Sequence, residues 1–255
     1  MSTNSRLFLM NERSFSYGDY AMVITTREMR LRGGRAKLPP LVVLEGTRRR
    51  ILEVALQLFA SEGYHATSVR DIAKVLGLQP SALYAHFPSK EHLLAELACV
   101  GYAAHYEILE EAVRAAADDP IEQLCALVRA HTIAHATYPH LAVIVHEEMR
   151  ALTYDLAAPA LALRARSSAF LLQVVENGIT RGCFSPPDRM ATAAAIAAMG
   201  VRIPYWYDAS ADLDFEALAK IHVELTLRML GVSSRPDFNG ISTNVTNDKS
   251  DRGDM

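Results

Sequence analysis

The stretch "GLQPSALYAHFPSKEHLL", Gly77 to Leu94, decides how this chain is read. Leu78, Leu83, Phe87 and Leu93 must pack, while Gln79, Ser81, Ala82, Tyr84 and His86 make the other side of a short helix small or hydrogen-bonding. Pro80 suits a first helical turn, where its missing amide costs nothing, and Pro88 ends the helix. Ser89 then caps a further helix with Glu91 in its first turn. Upstream, Ser68 and Asp71 have the spacing of a capping box, and Gly77 closes the helix they start. Ile72, Val75 and Leu76 are expected to form its inward face. Before that, Ile51, Val54, Ala55, Leu58 and Phe59 recur at i, i+3, i+4, i+7 and i+8, an amphipathic stripe that stops near Gly63. Two short helices joined by a glycine-containing turn, with a third before them, have the shape of a helix-turn-helix head whose last helix enters a DNA major groove.

Beyond residue 95 the chain reads as long helices, roughly 89–117, 121–137, 139–154, 157–181, 188–207 and 213–230. They are punctuated at "DDP", "YP", Pro159, "GCFSPPD" and "DASADLD". No credible strand interrupts them, so the fold class is all-α. The predicted division is an arm over 1–44, a head over 45–94, a helical body over 95–231 and a polar tail over 232–255. The arm and tail are expected to be disordered.

With 255 residues, 50% of them hydrophobic, the chain can bury one large core or two modest ones. A net charge of −3 neither favours nor excludes a nucleic-acid partner, because clustering matters more than the sum. Positive charge does cluster in the arm, which carries Arg27, Arg30, Arg32, Arg35 and Lys37 and leads into Arg48, Arg49 and Arg50. An alternative start at Met22 or Met29 would shorten it. Cys99, Cys125 and Cys183 are odd in number and far apart, which fits a reduced cytoplasm better than a disulfide framework. The longest apolar run, Met190 to Val201, is shorter than the roughly 20 residues a bilayer requires. No signal peptide is read at the start, and no membrane partner is expected.

The segment "RRRILEVALQLFASEGYHATSVRDIAKVLGLQPSALYAHFPSKEHLL" closely resembles the N-terminal domain of the TetR family of bacterial transcription regulators. The pieces "F-x-x-x-GY" and "LY-x-HF-x-SKE-x-LL" carry the resemblance over residues 47–95. It implies a homodimeric repressor on a near-palindromic double-stranded operator, with two recognition helices about 35 Å or somewhat more apart. It places Thr67, Ser68, Tyr84, His86 and Lys90 against phosphate, and Gln79, Pro80, Ser81 and Ala82 at the groove. Gln can pair with adenine and Ala can meet a thymine methyl. The chain departs from the family pattern at Gln79-Pro80, and no Lys or Arg lies between Gly77 and Pro88. Base reading must then lean on uncharged groups. Simpler roles stay open: Tyr84 and His86 as surface packing, Ala82 as a tolerated small residue, Lys90 as a solvated neighbour of Glu91.

In the body the resemblance is one of layout, implying an effector pocket and a dimer surface on the last two helices. Ala193, Ala194, Ala197 and Ala198 permit close approach there, with Leu218, Ile221, Val223, Leu225, Met229 and Leu230 as apolar area. Candidate pocket residues are His131, His135, His146, Arg150, Tyr154, Arg202, Tyr205 and Trp206. Against that, each histidine could be a partnered core group, and Arg150 could pair with Glu147. Arg202 among aromatics suggests a hydrophobic acid or acyl-CoA-like effector. The other readings are a constitutive DNA-binding protein with a filled core, and a metal sensor or hydrolase. "HEEMR" lacks the second histidine of H-E-x-x-H, and no carboxylate completes the His131–His135 pair, so no enzyme, cofactor or metal site is expected. Removing residues 1–40 is expected to weaken operator binding at low salt and flatten its salt dependence. An unchanged slope in a salt titration would show that the arm takes no part.

Overall fold

The computed structural model describes residues 35–40, 46–207 and 213–232. Three helices make the head: α1 (Gly46–Ser61), α2 (Val69–Leu76) and α3 (Pro80–His86). Six form the body: α4 (Lys90–Ala115), α5 (Pro120–Thr137), α6 (Pro139–Glu148), α7 (Tyr154–Thr180), α8 (Arg189–Trp206) and α9 (Phe215–Met229). The all-α expectation holds, and the starts are those the caps dictate. Asp119 accepts from the amides of Ile121 and Glu122, Asp188 from Ala191, and Asp214 from Ala217. Pro120 and Pro139 open α5 and α6, where no amide is needed. No helix among the described residues is long and apolar enough to cross a membrane.

One buried cluster runs from the head into the body. Ile51, Leu52, Leu56 and Phe59 of α1, Ile72 of α2 and Leu83 of α3 close over Leu93, Leu94 and Leu97 of α4. The same cluster continues through Val100 and Tyr102 to Leu141, Ile144 and Val145 of α6. A second cluster fills the far end of the body, where α5 and α9 pack on each other through Leu124, Val128, Val223 and Leu227.

Several expectations are corrected. Val75 is 61% exposed, and Ala73 takes its place on the inward face of α2. The helix expected over 139–154 ends at Glu148, followed by a single 3-10 turn over Met149–Ala151. Pro159 does not break the chain but lies inside α7, where it costs one hydrogen bond to the carbonyl four residues back. By contrast α8 runs through Pro204 to Trp206, as the expected helix over 188–207 requires. Leu218, Val223 and Leu230 are intramolecular core, which removes them from the expected dimer surface; Ile221 and Leu225 remain exposed one turn apart.

Residues 35–40, which fall within the expected arm, are docked on the head. Within "RAKLPP", Ala36 and Leu38 are buried, and the Ala36 amide donates to Gln57 Oε1 of α1 at 2.8 Å. Arg49 donates to the carbonyls of Leu38 and Pro39 at 3.3 and 3.4 Å. A truncation that tests the basic arm should therefore stop at residue 34. The rest of the arm and the tail from residue 233 lie outside the described residues.

After α7 the chain turns at Gly182, with φ of 73°, and lays the Phe184 ring on Gly178. A Cβ on Gly178 would stand 2.0 Å from that ring. Gly178→Ala is expected to destabilise the protein by about 1–3 kcal/mol, against the usual helix preference for Ala. Gly101→Ala, whose Cβ would rest 3.4 Å from Leu141, serves as the control and should be neutral or stabilising. Thermal or denaturant unfolding of the two variants checks the contrast.

Candidate DNA-binding face and helical cavity

α3 is positioned from both ends. At α2 the Ser68 hydroxyl accepts from the Asp71 amide at 3.2 Å, and the Asp71 carboxylate accepts from the Ser68 amide at 2.9 Å. The Ser68 hydroxyl, donating to the Asp71 carboxylate at 2.5 Å, and after it the Ser68 amide hold the Asp71 carboxyl below its ordinary pKa. Gly77, with φ of 66°, turns the chain, and Leu78 returns its amide to the Ala73 carbonyl at 2.9 Å. α3 is then pinned by Leu83 and Phe87, both essentially inaccessible. Arg48 of α1 stacks over the Phe87 ring at 4.3 Å, donates to the His86 carbonyl at 3.2 Å and pairs with Glu96 at 3.2 Å.

What remains outward is Gln79, Ser81, Ala82, Tyr84 and His86, all exposed, with Pro80 half-buried at the first position. The Gln79 carboxamide makes no cap bond to α3. Two residues assigned to phosphate are engaged internally. Thr67 is buried and donates its hydroxyl to the Gly63 carbonyl at 2.8 Å. Lys90 donates to the Tyr64 carbonyl at 2.8 Å, with its ammonium 4.4 Å over the Tyr64 ring. Arg48 and Arg49 are similarly committed. The exposed cations of the head are Arg50, Arg70 and Lys74, with Arg35 and Lys37 on the docked strand. Arg70 and Lys74, one turn apart on α2, carry no motif signal, so sequence reading passed over them.

In the body a cavity of about 430 Å³ opens among α4, α5, α6, α7 and α8, with Pro39 of the docked strand at its edge. Its wall is mostly apolar, from Ile108, Leu109, Leu127, Leu141, Val145 and Leu171. The expected residues His131, His135 and His146 line it, whereas Arg150, Tyr154, Arg202, Tyr205 and Trp206 do not. Arg150 is exposed and donates to the Glu147 backbone carbonyl at 3.0 Å. Tyr154 is 79% exposed at the start of α7. Arg202 lies 4.1 Å over the Tyr205 ring, and Trp206 is exposed at the end of α8. The cavity's cation is instead Arg164 of α7, beside Ser167 and Ser168. Tyr102 and His105 of α4 complete the polar set. Their i, i+3 spacing on an apolar helical face, continued by Leu109, was the signal that could have found them.

The histidines form a connected group. His131 Nε2 lies 3.0 Å from the Ala197 carbonyl, and His135 Nδ1 lies 2.9 Å from the His131 carbonyl. A carbonyl only accepts, so both nitrogens carry their hydrogen. That leaves His131 Nδ1 as an acceptor, 2.8 Å from His105 Nε2, which therefore donates. Burial is the main cause that drives His131 down to about 3 and His135 to about 4. His146 is lowered to about 4 by burial and then by Arg164, and His105 is also well below its ordinary range. The cavity thus presents neutral imidazoles at ordinary pH. Burial raises the Tyr102 hydroxyl, opposed by nearby Arg164.

Comparison with known proteins bears on both parts. The family model described as "Bacterial regulatory proteins, tetR family" matches residues 51–97, and "Tetracyclin repressor-like, C-terminal domain" matches 117–230. The transcriptional repressor KstR2 of Mycobacterium tuberculosis is 31% identical over 145 residues, covering 54% of this chain and 70% of KstR2. Against three other regulators the match spans only 16%, 26% and 24% of their length. The crystal structure of a tetR-family regulatory protein from Rhodococcus RHA1 has a TM-score of 0.70 at 30% identity, over 75% of this chain and 100% of that one. AibR, crystallised with isovaleryl coenzyme A and operator DNA, has a TM-score of 0.64 at 26% identity, over 70% of this chain and 96% of AibR.

The buried histidines set a pH dependence. Their folded pKa values lie below the ordinary 6.5, so as pH falls through 6.5 the unfolded chain takes up protons that the folded chain refuses. Stability is full above pH 6.5 and declines towards the folded values near 4 and 3, by on the order of 1 kcal/mol per pH unit for each of His131 and His135. Denaturant unfolding between pH 7 and 5, above the carboxylate range, should show this slope, and His135→Gln should make it shallower. An identical slope in the variant would contradict the assignment.

Proposed function

The chain belongs to the TetR family of bacterial transcription regulators, and from that premise we propose that it is a homodimeric repressor released from a near-palindromic operator by an apolar acid or its coenzyme A thioester. The observation that carries the effector half is the cavity itself: about 430 Å³ of mostly apolar wall, with Arg164, Ser167, Ser168 and Tyr102 on one side. An acyl chain or small ring system suits the apolar part. Arg164 is exposed at the cavity edge, where it can meet a carboxylate or phosphate. The isovaleryl coenzyme A bound to AibR supports the same chemical class. A constitutive regulator with a filled core accords less well with so large an opening.

For DNA, the reading helix is α3, with Gln79, Ser81 and Ala82 towards base edges and Tyr84 and His86 towards the backbone. Ser68 stands where the α2 amides face phosphate, and Arg50, Arg70 and Lys74 supply charge. The dimer surface is the pair α8 and α9, using exposed Ile221 and Leu225 of α9 and exposed Ala195 of α8; of the alanines expected there, Ala193 is buried and Ala194, Ala197 and Ala198 line the cavity. The protein acts in the cytoplasm, where the chromosome lies. The mechanism is a population shift: a ligand that binds better to the dimer with splayed heads lowers operator affinity by that difference.

Selection of genomic fragments on the purified protein, followed by fluorescence anisotropy with CoA thioesters of increasing chain length, tests the whole reading. Gln79→Ala should cost about 1–3 kcal/mol on the selected duplex and leave random duplex unaffected. Ile221→Glu with Leu225→Glu should yield monomer that no longer discriminates. Thermal stabilisation by thioesters without loss of operator affinity would reject effector release.

A further inference from the structure

We propose that the histidine group at one end of the cavity is a binding site for a divalent d-block cation such as Zn²⁺, held by His105 of α4 and by His131 and His135 of α5. One ring nitrogen of each lies within 4.8 Å of those of the other two. His131 and His135 are one turn apart, the i, i+4 spacing that presents two imidazoles from one helical face, and His105 meets them from the facing helix. The sequence places no carboxylate to complete the pair; the structure supplies a third histidine.

The second nitrogens make the case. A metal-bound histidine usually donates its other N–H to a carbonyl or carboxylate, which fixes the ring and the tautomer. His131 does so to Ala197 and His135 to its own helix, which leaves His131 Nδ1 and His135 Nε2 as lone pairs. The 2.8 Å between His105 Nε2 and His131 Nδ1 is now bridged by a proton. Coordination requires only that His105 carry that proton on Nδ1 instead, with no net proton release. A tetrahedral cation about 2.0–2.1 Å from each nitrogen sets them roughly 3.3 Å apart, so nitrogens that lie within 4.8 Å of one another need to shift by at most about 1.5 Å. The seat for His131 is built for it, since a Cβ on Gly200 would stand 2.1 Å from its Nε2. Burial keeps the rings free of competing protons at neutral pH.

Three protein ligands leave a fourth position facing the cavity, the arrangement of sites that accept an exogenous donor. A dication with three neutral ligands favours an anion there, and only that step rests on the acidic-effector reading. The metal site itself stands on side-chain geometry.

The test is a Co²⁺ titration of the full chain without an affinity tag, stripped by chelator, read by the visible d–d bands that distinguish four-coordinate from six-coordinate Co²⁺. One equivalent should bind with a four-coordinate spectrum, and Zn²⁺ should displace it. His105→Gln and His135→Gln should each raise the dissociation constant by about 100-fold or more, since even outer partners of metal ligands are worth 10–100-fold. His222→Gln, at a buried histidine bonded to Thr132 outside the group, should leave binding unchanged. Should the cluster variants not fold, the intact protein still decides: no four-coordinate spectrum at one equivalent overturns the site. Retention of the spectrum in folded cluster variants does the same. Release of operator by a CoA thioester without any Co²⁺ uptake would remove the metal site and leave the effector reading standing.

Discussion

The first turns of α4 bury Leu93, Leu94 and Leu97 against Ile51, Leu56 and Phe59 of α1, and the next turns of the same helix present Tyr102, His105 and Leu109 to the cavity. A packed core does not deform continuously, and an α-helix transmits displacement as a rod. Anything that moves the cavity end of α4 must therefore move the base of the head or break a close-packed contact. The α1–α6 contact adds a second tie, because Leu141 and Val145 of α6 belong both to the shared core and to the cavity wall. A third is the docked strand, whose Pro39 touches the cavity while Arg49 of α1 holds its carbonyls. Head and cavity are joined by packing at every one of these points.

The head spends its charge differently from the way its composition suggests. Arg48, Arg49 and Lys90 are used to close helix ends and loops: one over Phe87, one on the strand carbonyls, one on the Tyr64 carbonyl. Each replaces water around a backbone carbonyl with a charge-assisted bond, and that of Arg48 to His86 closes the end of α3. On the proposed reading the side chains of α3 left for the groove are uncharged, and among the described residues the exposed cations are Arg50, Arg70 and Lys74 of the head with Arg35 and Lys37 before it. Position and sequence reading are thereby separated on the surface of the head.

Most of the fold was legible because its signals are local. Capping aspartates, first-turn prolines and the glycines at 77 and 182 act within one turn of chain, and each helix they predict is present. Pro159 and the 149–151 turn were misread because tertiary packing overrode a local preference. The outward face of α3 was legible from Leu83 and Phe87, whose burial dictates what is exposed. The cavity was legible only in part. His131, His135 and His146 stood out by residue type, yet Arg164, Tyr102 and His105 come from other helices, and their convergence is a tertiary fact. Arg202, Tyr205 and Trp206 drew attention by composition, but the rotation of α8 turns Ala197, Ala198 and Val201 to the cavity instead. Thr67 and Lys90 show the same limit: the residue types were right for phosphate, and only the structure shows their polar atoms already bonded.

Thermodynamic linkage gives the most direct test of the coupling between cavity and head. The dissociation constant of the tightest-binding CoA thioester is to be measured by calorimetry on free protein and on protein saturated with operator. Coupling through α4 requires the thioester to bind the operator complex more weakly, by the same factor by which it weakens operator binding. Equal affinity for free and operator-bound protein would contradict the account.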